Sequence, residues 1–269
     1  MTDAVALRTA FNAGFHWLRE SVWFARRDAA LAWGSGLVVA LIAVALSHLP
    51  FIGGLVFVLL LPMLLAGALR MLKALEHNEE PVPDMAADDA PRGFAAYPWR
   101  VKRAARGLFA DWQDEERILP VIIICTLTLA AAVCVQILGV LLKIGGAALP
   151  AMLSGSVGPR IWVPALIGLI LVIALRFVLF MALVFAVPLI VHRRELPLVA
   201  IGKSLRIGAR HVGALIVLIL PFAVAWLAAD ALAVALPFPA DDLLRLIVVT
   251  ILFPLFAGAV HRAYRDCLP

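Results

Sequence analysis

LPFIGGLVFVLLLPMLLAGALRMLK, Leu49 to Lys73, carries no formal charge until Arg70 and closes on two basic residues. At 1.5 Å per residue, an uncharged run of that length crosses the roughly 30 Å of bilayer hydrocarbon. The design returns near the C-terminus as LPFPADDLLRLIVVTILFPLFAGAVHRAYR, Leu236 to Arg265. Both copies have Leu-Pro-Phe at the entrance, a proline further along, then Ala-Gly-Ala and a basic exit. The unit is a membrane-spanning helix, and it is repeated.

Composition agrees. The 269 residues are 64% hydrophobic and only 15% charged, with a mean hydropathy of +1.02. A soluble domain keeps about a quarter of its residues charged. The net charge of +5 would suggest nucleic acid in a soluble chain. Here the basic residues cluster beside apolar runs, so topology and anionic headgroups account for them, and no nucleic-acid partner is expected. The three cysteines show no CxxC spacing, and Cys125 and Cys134 share one apolar segment, which argues against a disulfide framework or a zinc site. No cleavable signal peptide is expected, because mixed charges precede any apolar run and no small-x-small site follows a short apolar core.

Outward from the opening stretch, residues 8–27 contain no span. At 100° per residue, Phe11, Gly14, Phe15, Leu18, Val22 and Ala25 share one face, against Arg8, Asn12, His16, Arg19, Glu20, Arg26 and Arg27. Placed directly before a span, this segment reads as a helix lying in the headgroup plane. From Ala29 to Leu69 no residue is formally charged except for any fraction on His48. That is twice one span, folded at Ser47-His48-Leu49-Pro50.

EHNEEPVPDMAADDAPRG, from Glu76, is acidic and proline-rich and predicts a mobile linker over about 76–96. Tyr97 to Trp112 is a second amphipathic segment, with Val101, Ala105, Leu108 and Trp112 opposite Arg100, Lys102, Arg103 and Arg106. Further spans are predicted at about 118–142, 162–191, 212–236 and 242–261, after the first two at about 30–48 and 51–72. A glycine-rich loop, 145–160, follows the third span. A third amphipathic segment covers 192–211, with Leu198, Ile201, Leu205, Gly208 and Val212 opposite Lys203, Arg206 and Arg210. Asp241 and Asp242 suit the N-terminus of the last helix.

The Lys/Arg distribution orients the chain. The N-terminal segment supplies Arg8, Arg19, Arg26 and Arg27. The second connection adds eight basic residues between Arg70 and Arg117, the fourth adds five between Arg193 and Arg210, and the tail adds Arg262 and Arg265. Nineteen of the 23 Lys and Arg residues thus share one side, against Lys143 and Arg160 opposite. Both termini are expected in the cytoplasm of a bacterium, with the chain in the inner membrane.

The repeat extends further. Shifted by 184 residues, Arg19, Ala25, Arg26, Ala30 and Leu31 meet Lys203, Ala209, Arg210, Ala214 and Leu215. Val191-His192-Arg193 recurs as Val260-His261-Arg262, and Pro62, Pro188 and Pro254 occupy corresponding places. One interfacial helix followed by a two-span hairpin, used three times, is the expected unit. Parallel repeats of this kind occur in transporters, although duplication alone confers no transport.

GFHWLRESVWFARRDAALAW, the Leu-Pro-Phe-x-Gly-Gly turn with its PMLLAGALRML exit, and the closing PLFAGAVHRAYR carry a resemblance to a family of uncharacterised six-span inner-membrane proteins of proteobacteria. More distantly, the chain is similar to the membrane domains of some glycerophosphodiester phosphodiesterases. The resemblance implies a six-span fold and no catalytic or binding residue, and the soluble phosphodiesterase barrel is absent from this sequence.

Chemistry has few candidates. Arg176 lies near the middle of the fourth span, where a charge costs several kcal/mol unless paired or wetted. Asp230 in the fifth span and Arg245 in the sixth each sit a short way inside the outer end, and Gln136 lies in the third. These four form a possible intramembrane polar centre, either a substrate- or proton-handling group or a set of structural pairs that fixes helix register. Asp230 with Arg245 is the pair most easily made. Gly34-Ser35-Gly36, Gly53-Gly54 and Ala66-Gly67-Ala68 read as close-packing faces. No HExxH, GxxxxGK[ST] or GxSxG motif is present, so no catalytic, metal or cofactor residue is assigned.

The expected fold is all-α and polytopic: six transmembrane helices with about three amphipathic interfacial helices. The expected function is that of a non-enzymatic membrane protein, a scaffold or lipid-interacting factor whose partners are membrane lipids with anionic headgroups. The alternative is a small-solute or lipid transporter built on Arg176 and Asp230.

Overall fold

A computed structural model of the chain describes residues 2–49, 52–82, 96–110, 115–145, 159–235 and 239–268. The expected acidic linker, the glycine-rich loop and both Leu-Pro-Phe turns lie largely or wholly outside these residues. The described residues are all-helical, with no strand among them. In order they form α1 (Thr2–Ser21), α2 (Trp23–Arg27), α3 (Ala29–Ser47), α4 (Ile52–Glu76), α5 (Ala96–Leu108), α6 (Glu115–Gly145), α7 (Pro159–Val184), α8 (Ala186–Arg193), α9 (Pro197–Arg210), α10 (Val212–Ala235) and α11 (Ala240–Cys267).

Six helices are long and apolar enough to cross a membrane: α3, α4, α6, α7 with α8, α10 and α11. The chain is a multi-pass membrane protein. α3, α4 and α11 form its centre, with Leu31, Val39, Leu64, Leu69 and Val260 essentially inaccessible. α6, α7 and α10 are peripheral and leave Ile122, Leu166, Ile170, Leu220 and Leu227 exposed, as lipid-facing surfaces are.

The most extensive helix pair is α3 with α11. It depends on Gly36, where a Cβ would stand 2.0 Å from the Thr250 carbonyl oxygen. Thr250 is the residue four before Pro254, so its carbonyl receives no helical hydrogen bond. A side chain at position 36 would drive the two backbones apart. Of the small-residue faces read in the sequence, Gly34, Ser35, Gly36, Ala66, Gly67 and Ala68 are buried. Gly53 is buried at the α3–α4 hairpin, where a Cβ would lie 1.7 Å from the Leu46 carbonyl oxygen, but Gly54 is exposed.

Three prolines sit inside the second helices of pairs, and only one follows a break in its helix. Pro62 and Pro254 are carried within α4 and α11. Pro188 follows a break at Phe185, which divides the expected fourth span into α7 and α8. The break is held by Ser204 of α9. Its hydroxyl accepts from the Phe185 N–H (3.1 Å) and donates to the Met181 carbonyl (2.6 Å). The Phe185 N–H and Met181 C=O would pair with each other in an unbroken helix; the Ser204 hydroxyl inserts between them and satisfies both.

The two ends of the chain meet. Trp17 Nε1 of α1 donates to Asp266 Oδ2 of α11 at 2.9 Å, and Trp17 is buried. The starts of α3 and α10 and the ends of α4, α8 and α11 therefore share one end of the bundle, called here the basic face. The opposite end carries the α3–α4 hairpin, where His48 pairs with Asp242 at 3.1 Å. Asp242 uses its carboxylate there rather than capping α11, whose N-cap position is Pro239.

Candidate functional site

The basic face is built around a buried cation that the helical pattern had placed among the solvated charges. Arg103 of α5 has a side chain only 4% exposed. Its Nη1 donates to Asp28 Oδ2 (2.8 Å), its Nη2 to Glu80 Oε1 (2.5 Å), and the Trp99 ring lies 5.9 Å from the guanidinium carbon. Asp28 works twice: its other oxygen accepts the Leu31 N–H (2.9 Å), capping α3. Burial alone would lower the Arg103 pKa, but hydrogen bonds to Glu80 and Asp28 outweigh it and hold the group above its ordinary value. One guanidinium thus ties α5, the start of α3 and the segment after α4. The sequence signal was Asp28, the single carboxylate set directly before a 41-residue uncharged run.

A second network closes the face between the chain ends. Glu76, at the end of α4, pairs with Arg265 and lies 3.3 Å from His261 Nε2. Arg262 reaches Asp266 (3.3 Å) and His16 (3.2 Å). The two Val-His-Arg triplets are brought side by side, with the His192 and His261 rings 5.8 Å apart and His192 5.1 Å from Tyr264. Between α1, α2, α4 and α11 lies a cavity of ≈ 220 Å³ lined by Glu20, Trp23, Glu76, His261, Arg262 and Arg265 among others. Its charges are largely committed to one another, which suits a joint more than a binding site.

The amphipathic segments pack through the glycines of the apolar faces read in the sequence together with residues beside those faces, and not through their bulky members. Among the described side chains of α1 the buried ones are Gly14, Trp17 and Ser21, whereas Phe15 is 63% exposed and Phe11, with Val22 just after the helix, is also exposed. In α9 the buried residues are Pro197, Ala200, Ser204 and Gly208, whereas Leu198 is 73% exposed, with Leu196 and Val199 beside it. Small residues let helix axes approach closely, so they take the protein contact. The large apolar side chains are left uncovered, flanked by exposed Arg19, Arg26, Lys203, Arg206 and Arg210. In α5, Ala104 and Leu108 are buried as well as Arg103. Trp112 lies outside the described residues.

The three intramembrane polar residues whose side chains are described fall in two places. Arg176 Nη2 of α7 donates to Gln136 Oε1 of α6 at 3.3 Å, and both residues are exposed. Arg245 stands elsewhere, in a cavity between α3, α4, α10 and α11. Its Nε is buried without a hydrogen-bond partner among the described residues. Asp230 falls within α10, but its side chain lies outside the described residues. Glu76 and Glu80, grouped with His77 in the sequence, are each engaged by an arginine.

No family model, no curated protein and no solved structure matches the chain.

Proposed function

We propose that the chain is a non-enzymatic protein of a bacterial inner membrane whose basic, cytoplasmic face engages anionic lipid headgroups, as an envelope scaffold or lipid-interacting factor. The carrying observation is the uncovered apolar stripe on both α1 and α9, each beside exposed arginines. That combination suits the headgroup boundary, where apolar side chains enter the acyl region and each nearby Lys or Arg adds about 1 kcal/mol of attraction to anionic lipid. The motifs that carry the resemblance to six-span inner-membrane proteins serve packing here. Pro254, Ala257, Gly258 and Tyr264 of PLFAGAVHRAYR are buried in α11, in keeping with a structural role.

The transporter reading rests on Arg176 and Asp230 and has weaker support. The described partner of Arg176 is Gln136, and neither described cavity includes Arg176.

The test is native purification of the full chain with identification of bound lipid, beside a variant carrying Arg19→Gln, Arg26→Gln, Arg206→Gln and Arg210→Gln. These four are exposed, so the fold is expected to survive their replacement. The wild type should retain phosphatidylglycerol or cardiolipin and the variant should lose it. Identical lipid profiles would refute the proposal.

A further inference from the structure

At the end opposite the basic face, a cavity of ≈ 240 Å³ opens between α3, α4, α10 and α11. Val44, Leu46, Phe57, Trp226 and Val249 supply apolar walls, and the exposed Gly54 and Trp226 stand at its rim. Among the described residues one charged group lines it, Arg245, five residues into α11 and so about 8 Å along the helix axis.

Arg245 is not neutralised by the carboxylates preceding it on its own helix. Asp242 is taken by His48 at 3.1 Å. Asp241, at the i,i+4 spacing that normally yields an ion pair, has a buried Oδ1 that itself lacks a hydrogen-bond partner. Arg245 Nε is buried and unpartnered among the described residues. A guanidinium cannot shed its proton, and a half-buried cation with no carboxylate partner among the described residues, set in an apolar wall, is costly. An anion arriving in the cavity would supply what is missing.

Size and lining select the kind of anion. Pockets for drug-sized ligands run to about 300–1,000 Å³ with several convergent polar groups. This cavity is smaller and, among its described lining residues, presents one cation and a serine hydroxyl against otherwise apolar walls. It fits one negative charge on one chain, and it is a poor match for a sugar, a nucleotide or a two-chain phospholipid. We infer that this cavity binds a single-chain anionic amphiphile, a long-chain fatty carboxylate, with Arg245 holding the head and the Phe57–Trp226–Val249 walls holding the first part of the tail. The site is separate from the basic face and stands or falls independently of the reading given for it.

The experiment uses the full chain in nanodiscs of neutral phosphatidylcholine, titrated with dibrominated stearate, whose bromines quench tryptophans they touch. Saturable quenching that disappears in Trp226→Phe is expected. Arg245→Met should weaken it about tenfold or more, the scale of one lost charge-assisted contact, while Arg245→Lys retains it. Gly54→Phe offers a variant that leaves Arg245 in place, since a Cβ at Gly54 meets nothing within 4 Å. It should narrow the cavity and weaken quenching in a chain that still folds. The dibrominated alcohol of equal length should not saturate. Equal binding by Arg245→Met, equal binding by the alcohol, or displacement by an equal concentration of phosphatidylglycerol would overturn the assignment.

Discussion

Two arginines at opposite ends of the bundle, Arg103 buried and Arg245 half-buried, receive opposite treatment. Arg103 is held by Asp28 and Glu80, faces Trp99, and joins three segments that are distant in sequence. Arg245 has no carboxylate partner among the described residues and looks into an apolar cavity; an unpartnered Nε is common to both arginines. A charge with two carboxylates belongs to the architecture, and removing it strands both of them. A charge with none among the described residues is a cost, and removing it should relieve the fold.

The sharpest break of this contrast is Arg103→Met. It leaves two carboxylates facing each other at the start of α3, and an expected loss of about 3 kcal/mol should be visible in an SDS-titration unfolding curve. Gly36→Val comes next, because its Cβ cannot fit against the Thr250 carbonyl. Separating α3 from α11 should cost about 1–3 kcal/mol, read in the same assay. Ser204→Ala strands the Phe185 N–H and Met181 C=O at the α7–α8 break. The expected loss is about 1–2 kcal/mol, with faster amide hydrogen exchange at Phe185.

Arg245→Met should be the mildest of the substitutions in neutral lipid, within about 0.5 kcal/mol of wild type or slightly stabilising. A loss as large as that of Arg103→Met would erase the distinction between the two ends. Mild alkali should do least of all. The Arg103 pKa is raised on folding, so its contribution is fully present below the unfolded value and is lost only as pH rises through the still higher folded one. Stability of the basic face should therefore be flat from neutral pH to about pH 10, checked by SDS unfolding across that range in an otherwise Arg103-dependent background.

Much of the fold was legible because lipid imposes coarse rules. An apolar run of some twenty residues must be a helix, and six such runs return the chain to the side it started from. Prolines were legible as positions but not as outcomes. Pro62 and Pro188 look alike in sequence, yet only Pro188 follows a break in its helix, where Ser204 from another helix inserts between the Phe185 N–H and the Met181 C=O. The amphipathic faces were legible in outline and rotated in detail. The faces read in the sequence held both Phe15 and Gly14, and both Leu198 and Gly208; close approach selects the glycines, with Ser204, and leaves the bulky members outside. Arg103 was misplaced for a related reason: a wheel counts an arginine as solvated and cannot see Asp28, 75 residues away. The pairing of Arg176 with Gln136, and the distance of Arg245 from both, depend on helix neighbours that no local pattern encodes.

The central claim is that the arginine-rich segments share the cytoplasmic side of six crossings. Single cysteines at Asn12, Ala209 and Leu49, all exposed positions, in a chain lacking Cys125, Cys134 and Cys267, test it most directly with a membrane-impermeant thiol reagent. The Asn12→Cys and Ala209→Cys sites should label only in inside-out vesicles, and the Leu49→Cys site only in right-side-out ones. Labelling of Asn12→Cys and Ala209→Cys from opposite sides would contradict it.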